Sequence, residues 1–331
     1  MSACAVEKVK WGMLGTGMIA SRLARAFKEV SNALLVGVAS RDGMRAKAFA
    51  DEHGVPRAYE AYDLLLFDED VDAIIIALPN SLHCEWTVKA AEAKKHVMCE
   101  KPLATSVDEC ENMIEACKRN GVLLMEAAMY RFQPQVELVV RMISDGSIGE
   151  PRIFHGAFCF PIPNHSNIRY RPELGGGCIF DMGFYPVDFA RLIANGVPVG
   201  LCAFGIVDSE CGVEVVAAGT MQFPNGMLAQ FECGFQNDIR TYAEIIGTEA
   251  SVQMPDPWTS RGKRKEVWLL RRREYIRRFE LQDRNSYALE IEHFSQCILS
   301  GSTPLIKPEW SMETVATLQK LRQLVHERAA N

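Results

Sequence analysis

The chain has 331 residues, with 36 lysines and arginines against 42 aspartates and glutamates, and so a formal net charge of −6. This negative balance argues against nucleic acid as the main partner. The length predicts two domains at roughly 150 residues each, and 48% hydrophobic with 24% charged residues excludes intrinsic disorder, collagen and coiled coil. No apolar stretch reaches the roughly 18 to 20 residues of a membrane helix, and the first residues hold no apolar signal core. We therefore expect a cytoplasmic protein with no membrane partner.

The cysteines and histidines do not form a recognisable metal or disulfide pattern. Eleven cysteines, an odd number, are scattered among apolar neighbours without a CxxC or CxxH cluster. The seven histidines are also dispersed, and only His83 stands beside a cysteine, Cys84. We expect reduced, core-filling thiols and no metal site.

Residues 1–127 alternate short apolar runs with helix-like patterns, which is typical of βαβ units around a parallel sheet. Strands are predicted at 9–14, 33–39, 73–77, 95–99 and 122–125, and helices at 19–30, 44–53, 83–93 and 107–120. The fold class predicted for this half is α/β, with a doubly wound parallel sheet.

Residues 128–331 have a different pattern of predicted elements, with one helix followed mainly by strands. This pattern predicts an α+β domain with a large open antiparallel sheet. Helices are predicted at 134–144, 286–299 and 311–327, and strands at 152–160, 200–207, 213–223, 227–235, 240–246 and 267–270. The segment 261–278 has nine basic residues against two glutamates. It is either a phosphate-binding strip or a hairpin with charged edges, and the interleaved Trp268, Leu270 and Tyr275 favour the hairpin.

The first predicted strand runs into a GxGxxA turn, residues 15–20, and then a helix. Gly15 permits the tight turn, Gly17 lets a pyrophosphate approach the helix N-terminus, and small Ala20 allows helix and strand to pack closely. Thr16, Met18 and Ile19 belong to the same predicted Rossmann dinucleotide site. A tight turn without a ligand is the alternative.

The end of the second strand selects the cofactor. An acidic residue there would bind the ribose of NAD, whereas this chain has Ser40 and Arg41, which can hold a 2′-phosphate. Asp42 comes too late for the ribose and is expected to start the next helix. NADP is therefore predicted over NAD.

Two further segments follow strands four and five, at the edge of the sheet where α/β folds bind ligands. The first contributes Leu78, Pro79, Asn80 and His83, and the second contributes Glu100, Lys101 and Pro102. Lys101 leaves a buried strand before a proline, which predicts an ammonium directed toward the nicotinamide. A surface lysine at a strand end is the alternative.

A glycine-rich segment, 173–185, leads into a helix in the second half and places Asp181 four residues before Tyr185. A carboxylate, a phenol and a lysine would together form a proton-transfer set. From spacing alone, a core tyrosine preceded by a helix-entry aspartate is an equal alternative.

These motifs, together with EAAMYRFQP at 126–134, resemble the Gfo/Idh/MocA family of oxidoreductases over nearly the whole chain. Many members have histidine at the position of Tyr185. The branch that resembles glucose-fructose oxidoreductase, dimeric dihydrodiol dehydrogenase and NADP-dependent xylose dehydrogenase has tyrosine there, and Arg41 agrees with its NADP preference. The resemblance implies a Rossmann domain followed by a domain whose open sheet is a common subunit interface, so we expect a homodimer or homotetramer.

We therefore predict an NADP-dependent enzyme that moves a hydride between nicotinamide and a carbinol carbon of a sugar or cyclic polyol. Tyr185 is the predicted acid/base, Lys101 would lower its pKa, and Asp181 would hold the substrate or Lys101. His83 would line the site and is the alternative proton carrier. Candidates for the substrate wall are Met129, Arg131, Phe158, Phe160, Asn167 and Arg169.

Three alternatives remain at this stage. A trans-dihydrodiol dehydrogenase would suit the apolar Met129, Phe158 and Phe160. A glucose-fructose oxidoreductase-like enzyme would retain NADP, but only eight residues precede the first strand, which favours an exchangeable cofactor. A non-catalytic NADP-sensing regulator would not need Lys101, Asp181 and Tyr185 together.

Overall fold

The computed structural model describes residues 7–259, 265–272 and 274–329, which pack as two compact units. The first unit holds the residues up to Met129 together with Asn285–Met312, and the second holds Tyr130–Arg284 and the residues from Glu313 onward. A late segment of the chain thus packs with the first unit. The division into functional domains 1–127 and 128–331 stays a prediction.

The first unit contains a six-stranded sheet in which every neighbouring pair is parallel, in the order β3-β2-β1-β4-β5-β6. Its strands are β1 (Val9–Leu14), β2 (Ala33–Ala39), β3 (Arg57–Tyr59), β4 (Ala73–Ile76), β5 (His96–Glu100) and β6 (Leu124–Ala127). The intervening helices are α1 (Met18–Ala26), α2 (Gly43–His53), α3 (Tyr62–Leu66), α4 (His83–Glu92) and α5 (Val107–Asn120). The doubly wound parallel sheet is confirmed. Its strand order reverses between β1 and β4, where such sheets bind ligands at the carboxyl ends of the strands.

The second unit contains an eight-stranded sheet in the order β14-β13-β12-β11-β7-β10-β9-β8. The strands are β7 (Pro151–Cys159), β8 (Gly200–Val207), β9 (Glu214–Gln222), β10 (Leu228–Gly234), β11 (Arg240–Gly247), β12 (Ser251–Met254), β13 (Lys265–Arg271) and β14 (Glu274–Leu281). The helices that follow α5 are α6 (Pro134–Ser144), α7 (Phe184–Ala194), α8 (Ser286–Ser300) and α9 (Pro308–Ala329). The predicted α+β class is confirmed, with one difference: β7 and β10 pair in parallel, so the sheet is mixed and largely antiparallel.

The basic segment forms the predicted hairpin where the structure describes it. Strands β13 and β14 pair antiparallel, and most of β14 is exposed at the edge of the sheet. The guanidinium of Arg278 lies 5.9 Å from the ring centre of Trp268 on the neighbouring strand. Residues 260–264 and 273 lie outside the described part of the chain.

No helix in 7–259, 265–272 or 274–329 combines the length and apolarity needed to cross a membrane. The same residues hold no group of three or more metal-ligand side chains. The ten cysteines in this part of the chain are free thiols.

Helix α8 covers the first sheet and carries a buried carboxyl group. Trp11 Nε1 of β1 donates to Ser295 Oγ at 3.0 Å, and the Trp11 and Phe294 rings lie 5.8 Å apart. One turn earlier, Glu290 is fully buried, and its carboxyl oxygens have no hydrogen-bond partner among the described residues. Burial and, to a lesser extent, the neighbouring Glu100 carboxylate raise the pKa of Glu290 well above its usual range.

We expect Glu290→Gln to stabilise the protein at neutral and alkaline pH. Because the folded-state pKa of Glu290 is raised, its contribution to stability is complete below the unfolded pKa of about 4.3 and is lost as pH rises toward the folded pKa. Between these two pKa values, the free energy of unfolding falls by about 1.4 kcal/mol per pH unit. Urea unfolding between pH 4 and 9 measures it, with the exposed Glu115→Gln as the matched control. If the gain in the free energy of unfolding from Glu290→Gln does not grow with pH, Glu290 is ionised in the folded protein.

Candidate active site

The turn after β1 has the geometry of a dinucleotide-binding loop. Gly15 has φ +108°, and a Cβ there would collide with the carbonyl oxygen of Ala77, so only glycine fits. A Cβ at Gly17 would meet nothing within 4 Å, and the N-terminus of α1 has no side-chain cap. Ala20 is fully buried. Open space before an uncapped helix N-terminus fits a pyrophosphate group. Thr16 lies in the same turn, and Met18, which is 62% exposed, and Ile19 begin α1.

Of the residues after β2, Asp42 starts the next helix as predicted. Asp42 caps α2, because its Oδ1 accepts from the backbone N–H groups of Met44 (2.9 Å) and Arg45 (3.2 Å). Ser40 Oγ accepts from the N–H of Asp42 at 3.3 Å, and Arg41 is exposed. The carboxylate is therefore committed to the helix, and the role of Ser40 and Arg41 at a 2′-phosphate stays a prediction.

Tyr62 is a neighbour of Arg41 that sequence analysis missed. Burial raises the pKa of Tyr62, and the adjacent Arg41 side chain opposes this shift. The Tyr62 ring packs edge-on against Trp86, with ring centres 4.8 Å apart. Tyr62 lies in the five-residue helix α3, and nothing in the local sequence signals that it lies next to Arg41.

His83, which was predicted to line the site, is buried between two backbone carbonyl groups. The ring is fully buried, with Nδ1 2.9 Å from the carbonyl oxygen of Pro102 and Nε2 3.0 Å from that of Leu78. Burial lowers the pKa of His83, and the hydrogen bonds to these carbonyls oppose the shift more weakly. A neutral ring has one N–H and donates to one of the two carbonyls. His83 therefore ties together the segments that follow β4 and β5, and as a buried group it is poorly placed to carry a substrate proton.

Lys101 follows directly after β5, at the edge of the sheet where β1 and β4 also end. Its side chain is half-buried, and the next residues, Pro102 and Leu103, are buried. The Leu103 N–H donates to Glu126 Oε1 at 2.6 Å, and Ser311 Oγ donates to Glu126 Oε2 at 2.8 Å. Glu126, a buried carboxylate at the end of β6, thus fixes the turn that carries Lys101. Leu78, Pro79, Asn80 and Glu100 are half-buried around the same edge.

In the second unit, Asp181 and Tyr185 lie on one continuous helical segment. Residues Ile179–Gly183 form a π-helical turn that continues into α7, whose first turn contains Tyr185. A Cβ at Gly183 would approach Cys233 Sγ to 3.1 Å, so glycine allows this turn to pack closely against β10. The α-helical spacing that we predicted from sequence is therefore modified by a wider turn, which is common at functional sites.

An aromatic wall surrounds Tyr185, which is 8% exposed. Its ring lies edge-on to Phe158 of β7 at 4.9 Å between centres, and Phe158 lies 5.4 Å from Phe160. Tyr130 and Trp258 complete the surroundings at 5.7 and 6.1 Å. Phe158 and Phe160 are both half-buried, so apolar surface is available next to the phenol.

Asp181 is paired with Arg169. Arg169 Nε donates to Asp181 Oδ2, and Asn167 Oδ1 accepts from the Arg169 backbone N–H at 3.1 Å. The pKa of Arg169 is raised, mainly by its interaction with the Asp181 carboxylate. The structure thus brings five predicted residues, Phe158, Phe160, Asn167, Arg169 and Asp181, together around Tyr185.

Arg131, predicted for the substrate wall, is held in a buried network instead. Its Nη1 lies 3.1 Å from Asp188 Oδ2, which also accepts from the Tyr130 hydroxyl, and Thr314 Oγ1 donates to Asp188 Oδ1 at 2.8 Å. Burial raises the pKa of Tyr130 well above its usual range. This network favours a structural role for Arg131. Met129, another wall candidate, is 6% exposed and belongs to the first unit.

The predicted proton-transfer set is divided between the units, with Lys101 in the first and Asp181 and Tyr185 in the second. The joint action of Lys101 with Tyr185 stays a prediction.

Comparison with known proteins agrees with both halves of the chain. Residues 9–128 match a family model described as "Oxidoreductase family, NAD-binding Rossmann fold", and residues 136–253 match the model "GFO/IDH/MocA C-terminal domain". The chain is similar to D-xylose 1-dehydrogenase (NADP(+)) 2 of Haloferax volcanii, with 32% identity over 97% of this chain and 98% of that protein. It is also similar to trans-1,2-dihydrobenzene-1,2-diol dehydrogenase of Danio rerio, with 30% identity over 75% of this chain and 74% of that protein.

A solved structure extends the likeness to three dimensions. The 3-ketoreductase KijD10 from Actinomadura kijaniata, solved in complex with NADP and TDP-benzene, superposes with a TM-score of 0.90 and 30% identity. The superposition covers 96% of this chain and 98% of that one.

Proposed function

Because the chain belongs to the Gfo/Idh/MocA family of oxidoreductases, we propose that it is an NADP-dependent enzyme that oxidises a carbinol carbon of a sugar or cyclic polyol, or reduces the corresponding carbonyl. One observation carries the proposal: Tyr185 packs edge-on against Phe158, in an aromatic wall that continues through Phe160 to the ion pair of Arg169 and Asp181, which suits a ligand with both apolar and hydroxyl-bearing faces. The named activities of the xylose and dihydrodiol dehydrogenases support this substrate class.

In the proposed reaction, NADP supplies the hydride acceptor or donor. Tyr185 accepts the hydroxyl proton as the hydride leaves the carbinol carbon, and returns it in the reverse direction. Asp181, held by Arg169, orients a substrate hydroxyl, and Phe158 and Phe160 contact the apolar face of the ring. Lys101 favours the phenolate form of Tyr185, since a nearby positive charge lowers the pKa of a phenol.

The test is a panel of aldoses, inositols and trans-diols assayed for NADP reduction by absorbance. Turnover of an aldose or inositol supports the proposal. Turnover of trans-diols alone would favour the second candidate, a dihydrodiol dehydrogenase, which the two phenylalanine rings 5.4 Å apart also suit. Glucose-fructose oxidoreductase-like behaviour would appear as aldose oxidation coupled to reduction of a second sugar without release of NADPH. Absence of turnover with every class would support the non-catalytic alternative.

Arg41→Ala should weaken binding of NADP much more than binding of NAD. A lost charge-assisted hydrogen bond to a phosphate costs about 1.5 to 3 kcal/mol, or roughly ten- to a hundredfold in affinity. Fluorescence titration with both cofactors measures the two losses, and Arg22→Ala on α1 provides a matched removal of charge. Equal losses for the two cofactors would contradict a role for Arg41 at the 2′-phosphate.

The proposed partner of the second unit is another copy of the chain. The outer face of its sheet exposes Phe204 and Ile206, each 61% exposed, on β8. A shallow groove of about 380 Å³ on this face is lined by His155, Gly156, Cys202, Phe204, Ala218, Gly219, Thr220, Gln230, Phe231, Glu232 and Tyr242. The groove therefore combines apolar side chains with polar ones such as Thr220, Gln230 and Glu232. Apolar residues within a polar surround are typical of protein interfaces.

We expect the protein to sediment as a dimer or tetramer at micromolar concentration. Ile206→Glu should shift it toward the monomer, because a charge cannot be buried unpaired in an interface. Met44→Glu, at an 83% exposed position on α2, is the control. A monomeric wild-type protein would contradict this assembly.

A further inference from the structure

A cation and a carboxylate lie beside the proposed acid/base within the second unit. Arg169 donates to Asp181, and their side chains are 22% and 18% exposed. Asp181 belongs to the π-helical turn that runs directly into the first turn of α7, where Tyr185 lies. The ion pair is thus attached to the segment that carries the phenol.

Backbone contacts fix the position of Arg169. Its carbonyl oxygen accepts from the N–H of Gly177 at 2.9 Å, and Asn167 Oδ1 also lies 3.4 Å from its Nη1. A Cβ at Gly176 would collide with the same carbonyl oxygen, so glycine is needed for the two segments to approach this closely. The glycine-rich turn that precedes Asp181 therefore determines where the guanidinium is held.

The guanidinium also acts electrostatically on Tyr185. Its Cζ lies 5.9 Å from the ring centre of Phe160, in the wall that continues through Phe158 to Tyr185. After the larger effect of Asp181, an ionised Tyr185 also raises the pKa of Arg169. Because an electrostatic interaction is mutual, the charge on Arg169 favours ionisation of the phenol.

Several other ionisable groups of the second unit have partners of their own. These pairs are Asp188 with Arg131 and Tyr130, Arg191 with Glu313, Glu214 with Arg322 and His326, and Glu232 with Arg240. Arg169 and Asp181 form the ion pair that lies beside the Phe160 ring of the aromatic wall. Loss of Arg169 would leave the Asp181 carboxylate without its guanidinium beside Tyr185.

We propose that Arg169 is a positioning residue for the reaction: it holds Asp181 and neutralises its carboxylate, so that the Tyr185 phenol can ionise and accept the substrate proton. This inference rests on the proposed function, in which Tyr185 is the acid/base.

The experiment titrates Tyr185 directly by the ultraviolet absorbance of tyrosinate, as the difference between each protein and the same protein carrying Tyr185→Phe. Arg169→Met should raise the midpoint by about one pH unit or more. The rising limb of kcat for oxidation should move by the same amount, so that turnover at neutral pH falls about tenfold and recovers at higher pH. Arg169→Lys, which keeps the charge, should have a Tyr185 midpoint close to that of the wild-type protein. Arg171→Met removes an exposed charge two residues away and should change neither quantity.

Asp181→Asn tests the inference through a shift of the Tyr185 midpoint in the opposite direction. It leaves the Arg169 charge uncompensated, so the Tyr185 midpoint should fall instead of rise. If Arg169→Met does not fold, as judged by circular dichroism, this variant decides. An unchanged midpoint in Arg169→Met, or in Asp181→Asn, overturns the inference. Retention of turnover by Tyr185→Phe would instead overturn the proposed function, while the titration would still report the effect of Arg169 on the phenol.

Discussion

Tyr185→Phe should lower turnover by about 10² to 10⁴ while leaving NADP affinity almost unchanged. The substitution removes one oxygen from a side chain that is 8% exposed, and the ring keeps its edge-on contact with Phe158. The packing of α7 is therefore preserved, and the loss reports the proton-transfer role of the phenol. Steady-state kinetics on the substrate found in the panel, with cofactor titration alongside, measure both quantities.

The matched control is Tyr275→Phe, which removes the same oxygen from a 64% exposed residue on β14 and should leave turnover unchanged. If Tyr185→Phe keeps more than about a third of wild-type turnover, another group carries the proton, since general acid/base catalysis contributes at least about a hundredfold. His83, the alternative from sequence, is then a poor replacement, because its ring is fully buried and both nitrogens face backbone carbonyls.

The fold was predictable where local signals are strong. Helix α5 has the predicted bounds because Ser106 caps its first turn and Gly121, at φ +68°, ends it. Strand β3 and helix α3 were missed because three and five residues are too short to show a period. The parallel pairing of β7 with β10 has no local signal at all, since it joins segments separated by some seventy residues of chain.

Motifs predicted the local geometry around the candidate site, but the long-range contacts that support it were not predictable. Gly15 and Asp42 act as the turn and the helix start require. Glu126 and Asp188 were missed as supporting groups, although each is a carboxylate between apolar neighbours, which is itself a signal of a buried partner. Their partners, the N–H of Leu103 and the hydroxyl of Tyr130, become visible only in three dimensions.

Lys101→Met should damage turnover as much as Tyr185→Phe and should also move the rising limb of the pH profile upward. In the proposed mechanism the Lys101 ammonium favours the phenolate, so that mechanism predicts a higher pKa of the phenol without it, and a higher pH is needed to form the base. The turn itself should persist, because the Leu103 N–H remains bonded to Glu126 and His83 remains bonded beside Pro102. Lys47→Met, which removes a 75% exposed ammonium from α2, is the control and should change neither turnover nor profile.

The double variant Lys101→Met/Tyr185→Phe tests whether residues from the two units act on one proton. If they do, the second substitution should cause little further loss of turnover, and the double variant should be about as slow as Tyr185→Phe alone. Residues with independent roles would give losses that multiply, on the order of 10⁴ or more in turnover. A protein with Tyr185→Phe has no phenol at this position for Lys101 to act on. The rising limb of the pH profile for its residual turnover should therefore be the same with and without Lys101→Met. A shift of that limb would mean that Lys101 acts on a group other than Tyr185.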